Sequence, residues 1–190
     1  MKDDLTEHER AILREALSLE ETSPPHPWRR AAFLAGGGLI AAGWDMAENV
    51  LLVSHSGFSV ATPSGSQLVR DRDTERAYKA LSTDSLTFDV PGHSQTVRVF
   101  GTNGGDGSHV AADGWSVEVV QPQWPRARVI LRPPAGPGAG QRSYFEGATR
   151  LGLEGLDLHD WLRTGFSPSG TNLLVVSSSG CIIFSRAPAG

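Results

Sequence analysis

The residues best able to do chemistry lie in short polar stretches, and none of these completes a catalytic or metal set. DLHD (157–160) places Asp157, His159 and Asp160 close together. A metal site needs three or four converging ligands with supporting hydrogen bonds. No paired spacing such as H-E-x-x-H is present, and HERAI (8–12) lacks its second histidine. Asp157 is therefore expected to cap a turn, with Trp161 in the core. His55, His93, His109 and His159 are expected not to converge, and no metal or cofactor is expected. Ser54-His55-Ser56 sets hydroxyls beside a base, but adjacent strand residues point to opposite faces. No G-x-S-x-G elbow exists to expose a nucleophile. GTNGGDGSH (101–109) is rich in glycine, which lets backbone approach a phosphate. It matches neither the P-loop nor the dinucleotide fingerprint, and reads as a mobile hairpin loop. Cys181 sits in the apolar run CIIF (181–184) with no basic residue within three positions, so a buried, inert thiol is expected.

Composition narrows the classes further. The chain has 190 residues, 39% hydrophobic and 20% charged, which places it among globular proteins rather than disordered or membrane ones. A chain of this length buries one sizeable core without disulfides. The net charge of −4 is concentrated at the N-terminus, where Asp3, Asp4, Glu7, Glu9, Glu15, Glu20 and Glu21 outnumber Lys2, Arg10 and Arg14. No basic stripe follows, which argues against nucleic acid as a partner. RRAAFLAGGGLIAAG (29–43) carries paired arginines before an apolar stretch, as a twin-arginine export signal does. A long acidic segment precedes it, and the apolar part is too short to span a bilayer. The expected location is cytoplasmic, with no membrane partner.

Among the elements that support these residues, 6–20 read as a helix. Thr6 and Glu9 form a T-x-x-E capping box, and Leu5, Ile12, Ala16 and Leu19 fall on one stripe. Pro24, Pro25 and Pro27 end it. Such a helix packs on the sheet or serves as an acidic docking arm. From residue 38 the apolar period becomes two. Strands are expected at 38–44, 49–54, 57–61, 66–71, 85–90, 95–100, 115–121, 126–132, 162–166, 172–177 and 180–185, with a short helix within 70–80. PPAGPGAGQ (133–141) reads as a flexible loop. Residues 1–27 are thus an acidic helix and Pro-rich linker, and 28–190 a single β domain.

The most specific feature is an internal repeat. NVLLVSHSG (49–57) aligns without gaps to NLLVVSSSG (172–180), identical at six of nine positions. Both copies run on into an apolar strand, FSVA (58–61) and CIIF (181–184), and Gly43-Trp44 pairs with Gly165-Phe166 upstream. Each copy predicts strand, turn, strand, tight Gly turn, strand, and the two hairpins are expected to share one sheet.

GFSPSGTNLLVVSSSGCIIFSR (165–186) resembles a blade of the WD-repeat or YVTN-type β-propellers, in which an aromatic strand end, a Ser-Pro-x-Gly turn and a hydrophobic strand follow one another. The first copy departs from that pattern, with DMAE (45–48) where the turn proline and glycine belong. The resemblance implies a β-meander. The copies are about 120 positions apart, roughly three periods of a ~42-residue blade. DGWSVEVVQPQWPRARVILRPP (113–134) between them carries no blade signature. The expected fold is mainly β: an antiparallel meander forming a two-sheet sandwich or half-open barrel with blade-like hairpins and one N-terminal amphipathic helix.

With no nucleophile, base and oxyanion donors assembled, the expected role is binding another protein, as toxin-neutralising immunity proteins do. The alternatives are a hydrolase using His109, Asp157 or His159, and a structural subunit pairing through a strand edge. Trp124, held between Pro122 and Pro125 at a hairpin tip, is the expected anchor. Asn103, Asp106 and His109 of the glycine-rich loop complete the expected binding surface.

Overall fold

A computed structural model describes residues 6–92, 94–123, 126–135 and 143–186. Helix α1 (Glu7–Ser18) begins where the capping box predicts. The Thr6 hydroxyl accepts from the Glu9 N–H, and the Glu9 carboxylate accepts from the Thr6 N–H. After it come β1 (Glu21–Thr22), β2 (Arg29–Ala35), β3 (Leu39–Trp44), β4 (Val50–Ser54), β5 (Gly57–Ala61) and β6 (Gln67–Asp71). Helix α2 (Thr74–Ala80), capped by Asp73, separates these from β7 (Thr87–Asp89), β8 (Thr96–Arg98) and β9 (Phe100–Gly101). The remainder is β10 (Ser116–Gln123), β11 (Arg126–Arg132), β12 (Thr149–Leu151), β13 (Leu162–Phe166), β14 (Asn172–Ser177) and β15 (Gly180–Ser185).

The strands among the described residues form four sheets, ordered β1-β12-β11-β10 (sheet A), β13-β14-β15-β2 (sheet B), β6-β5-β4-β3-β9 (sheet C) and β7-β8 (sheet D). Nearly all pairings are antiparallel, β1 with β12 being parallel, and no described sheet closes into a barrel. The protein is mainly β, with antiparallel hairpins and sheets packed face to face as in a sandwich. The packing repeats through the molecule. Leu173, Val175, Ile182 and Phe184 of sheet B meet Val117, Val129 and Leu131 of sheet A. From the opposite face of sheet B, Leu174, Val176, Cys181 and Ile183 meet Val50 and Leu52 of sheet C. Leu51, Val53, Phe58 and Val60 on the far face of sheet C meet Phe88 and Val97 of sheet D and Ala77 of α2. Helix α1 lays Ile12, Ala16 and Leu19 against Ile130 and Phe145; Leu5 lies outside the described residues.

The repeat forms two equivalent hairpins, β4–β5 and β14–β15, each closed by a tight turn at Ser54–Gly57 and Ser177–Gly180. The expectation that they share a sheet is wrong: one is in sheet C and the other in sheet B, packed face to face. Both copies are apolar on two faces, so each seeks a cover on each side, and stacking satisfies this where side-by-side pairing leaves faces open. The arginine-led stretch 29–35, not expected as a strand, is β2, paired along β15 from Arg29 to Ala35. β1 and β12 were also not expected, being too short to show a period of two. No helix among the described residues is long and apolar enough to cross a membrane.

Candidate functional site

The expected binding residues fall in three places. Trp124 lies outside the described residues, so its placement at a hairpin tip is undescribed. Asp106 and His109 come together, with His109 Nε2 3.7 Å from Asp106 Oδ1. Asn103 instead donates to Ser85 Oγ at 3.0 Å and lines a different cavity. The loop 101–109 is also not the free hairpin loop that its composition suggests. Gly107 N–H donates to Thr164 O, Phe166 N–H to Ser108 O and Val117 N–H to His109 O. The segment is thus threaded between β13 and β10. A Cβ at Gly107 would lie 2.4 Å from Gly165 Cα, so the backbones cross at a distance only a glycine pair allows. Gly107 serves this crossing.

That crossing shapes the first cavity, of about 580 Å³, at one end of sheets B and C. Trp44, Phe100 and Phe166 line it together with Arg98, Asp106 and Ser108. Trp44 is held by its indole N–H donating to Gly165 O at 2.9 Å. Two large apolar residues that also line it stay open to solvent, Met46 at 81% and Val110 at 62% exposure. Arg98 makes no ion pair among the described residues.

Both repeat turns stand at this end. Asp45 is buried, and its carboxylate accepts from Ala47 N–H, Asn49 N–H and Asn49 Nδ2, fixing the first turn. In the second turn the Ser167 hydroxyl accepts from Asn172 N–H. Glu48 joins them: its carboxylate accepts from Ser169 N–H at 2.8 Å and Asn172 Nδ2 at 3.0 Å. Burial pushes the Glu48 carboxyl up, but hydrogen bonds from Ser167, Ser169 and Asn172 outweigh that and hold it below its ordinary value.

A second cavity of about 470 Å³ lies beside β5 and β6, lined by Leu39, Ser59, Arg70 and Arg72 among others. A third, of about 610 Å³, holds His55, Tyr78, Asn103 and Asp160. There His55 Nδ1 is 2.7 Å from the Tyr78 hydroxyl, and no serine among the described residues is bonded to the imidazole. Asp157 caps its own turn as expected, Oδ1 accepting from His159 N–H at 2.9 Å, and its own N–H donates to Ser179 Oγ. His93 is outside the described residues. Among the described residues no three His, Cys, Asp or Glu side chains are grouped to hold a metal. Cys181 is fully buried, and burial pushes its thiol up to about 12.

Sequence reasoning did not find Met46, Arg98 or Val110. Each is ordinary in its local pattern, and only the approach of loop 101–109 to both repeat turns brings them together. No family model matches the chain, and no match was found among curated proteins or solved structures.

Proposed function

We propose that the chain binds another protein through the first cavity, and that the bound segment presents an apolar side chain beside a carboxylate. One observation carries this: Met46 and Val110, 81% and 62% exposed, line the same cavity as an arginine without an ion pair among the described residues. Exposed apolar groups gathered at a concave surface mark interaction sites, whereas scattered ones do not. Arg98 supplies the charge that selects a carboxylate, with a planar fork suited to it. Neutralising a toxin, as immunity proteins do, is the concrete form of this reading. Small size, mild acidity, a single-domain reading and the lack of a catalytic signature in the sequence favour it.

The test is selection of short peptides from a random display library against the immobilised chain. Enriched peptides carry an aliphatic or aromatic residue next to Asp, Glu or the terminal carboxylate. They bind at least about tenfold more weakly to Met46→Asp and to Arg98→Gln, a difference of about 1.4 kcal/mol. Peptides without that pattern, or with affinities indifferent to both substitutions, would overturn the reading. Trp124→Ala belongs in the same panel as the proposed second anchor. Weaker peptide capture at an unchanged melting temperature supports it, and a lower melting temperature with capture intact assigns Trp124 to the fold.

A further inference from the structure

The second cavity follows from a difference between the two repeat copies. In sheet C, Leu52, Ser59 and Arg70 are successive cross-strand partners on β4, β5 and β6. Directly opposed residues share a face. Leu52 belongs to the apolar cluster between sheets B and C, so this row runs from that core outward to the cavity. The corresponding row of sheet B is Val175, Ile182 and Phe33. That row is apolar throughout, and Ile182 is fully buried. The fold therefore accepts an apolar row at this place, and the Ser59–Arg70 pair is not needed to build the hairpin.

The cavity collects more positive charge than it neutralises. Arg70 and Arg72 both line it, and neither has an ion pair among the described residues. Asp71, the acid beside them, is committed elsewhere: its carboxylate accepts from Arg76 at 3.1 Å and from Asp73 N–H at 2.8 Å. The Ser54 hydroxyl is used locally, donating to Gly57 O and accepting from Ser56 N–H. The Ser56 and Ser59 hydroxyls also line the cavity and have no partner among the described residues. On the facing side, Gly37 has open space where a Cβ would stand, so a ligand can reach backbone there. Leu39 and Leu52 supply apolar wall. In a chain of net charge −4, two guanidiniums lining one cavity without an ion pair among the described residues favour an anion there.

We propose that this cavity binds a small phosphomonoester, its phosphoryl group held by Arg70, Arg72 and the Ser56 and Ser59 hydroxyls, its organic part against Leu39 and Leu52. Guanidinium forks match phosphate oxygens in bidentate pairs, and hydroxyls donate to the remaining ones. The volume of about 470 Å³ is within the range of small-molecule sites and leaves room for an organic group beside the phosphoryl group. This site is independent of the protein-binding reading of the first cavity.

Calorimetric titration of the full chain at fixed ionic strength tests it, with inorganic phosphate and phenyl phosphate as probes. Phenyl phosphate is expected to bind in the submillimolar range, and inorganic phosphate several-fold more weakly. Arg70→Gln and Arg72→Gln should each weaken phenyl phosphate about tenfold. Ser59→Ile, which restores the apolar row of the other copy, should weaken binding while the melting temperature holds or rises. Arg10→Gln, on the remote helix α1, should change nothing. Absence of saturable binding to the unaltered chain overturns the site, as does equal binding by the Arg70→Gln/Arg72→Gln double variant. Equal affinity for the two probes overturns the phosphomonoester assignment, because Leu39 and Leu52 then take no part.

Discussion

The hairpins 50–61 and 172–184 descend from one pattern and are used differently. Their faces correspond residue by residue. Leu173 and Val175 point from sheet B toward sheet A, as Val50 and Leu52 point from sheet C toward sheet B. Leu174, Val176, Cys181 and Ile183 point toward sheet C, as Leu51, Val53, Phe58 and Val60 point toward sheet D. Each copy thus stands to its following sheet as the other does. The second copy is apolar to its margins and lies at the centre of the stack. The first carries the departures: Glu48 for Gly170, His55 for Ser178, Ser59 for Ile182. Each departure faces a cavity or bridges to the other copy. Where both faces are needed for packing the repeat stays apolar, and where a face reaches solvent it is free to acquire polar groups.

The largest expected effect tests the equivalence of the faces. Leu51 and Leu174 are aligned and both fully buried. Truncation to alanine at a buried leucine costs about 2–5 kcal/mol, depending on how far the surroundings relax. Leu174 is enclosed by the long sheets B and C. Leu51 faces the two-stranded sheet D and the short α2, which can close in more readily. Urea unfolding should show both losses, with Leu174→Ala the more costly. A greater loss at Leu51 would mean that sheet D, and not the central stack, is the rigid partner.

Glu48 gives the next effect. Its φ of 66° matches the 74° of Gly170, so a glutamate occupies the left-handed position that glycine fills in the other copy. That conformation costs a non-glycine residue about 1–2 kcal/mol. The return is its pair of bonds to Ser169 and Asn172 on the neighbouring turn. Glu48→Gln keeps the backbone cost and weakens the bonds, so it should lose about 1 kcal/mol. Glu48→Gly removes both and should be close to neutral. The folded-state pKa of Glu48 is lowered, so its contribution is fully present above the ordinary carboxylate value and is lost as pH falls through the folded value. The stability gap between the native chain and Glu48→Gln should therefore be constant from about pH 6 upward and shrink below about pH 4. A gap that widens on acidification would show that the carboxylate does not bridge the turns.

The smallest effect on stability concerns the aligned pair Phe58 and Cys181, both buried at the start of the third strand. Burial pushes the Cys181 thiol up to about 12, so it stays protonated and unreactive near neutral pH. A thiol-specific reagent should label the chain only on unfolding. Cys181→Ala, which removes a single buried sulfur atom, should cost about 0.5–1 kcal/mol, the low end for loss of one buried heavy atom. Rapid labelling of the native chain would place the second copy at the surface and end the comparison.

Much of the fold was legible. The 49–61 and 172–184 hairpins, the capping box at Thr6 and Glu9, and the Asp157 turn follow from short-range rules acting within a few residues. β2 is hidden in the sequence because paired arginines before an apolar run resemble an export signal; their aliphatic stems suit an edge strand equally well. The candidate site was barely legible. Asp106, an expected binding residue, lines the first cavity, but Met46, Arg98 and Val110 carry no local signature. Asn103, expected on the same surface, lines a different cavity.

The sequence by itself determined the mainly β character, the two equivalent hairpins and the positions of their turns, because a period of two and a glycine turn act through neighbours along the chain. It also determined that Cys181 would be buried, since an apolar strand has no exposed face to offer it. Only the tertiary structure decided that the hairpins stack in separate sheets, that Gly107 crosses Gly165, and that Glu48 reaches across to the other copy. These depend on contacts more than 50 residues apart in the chain. Such contacts are set by which faces remain uncovered once all the strands have formed, a quantity that no local pattern contains.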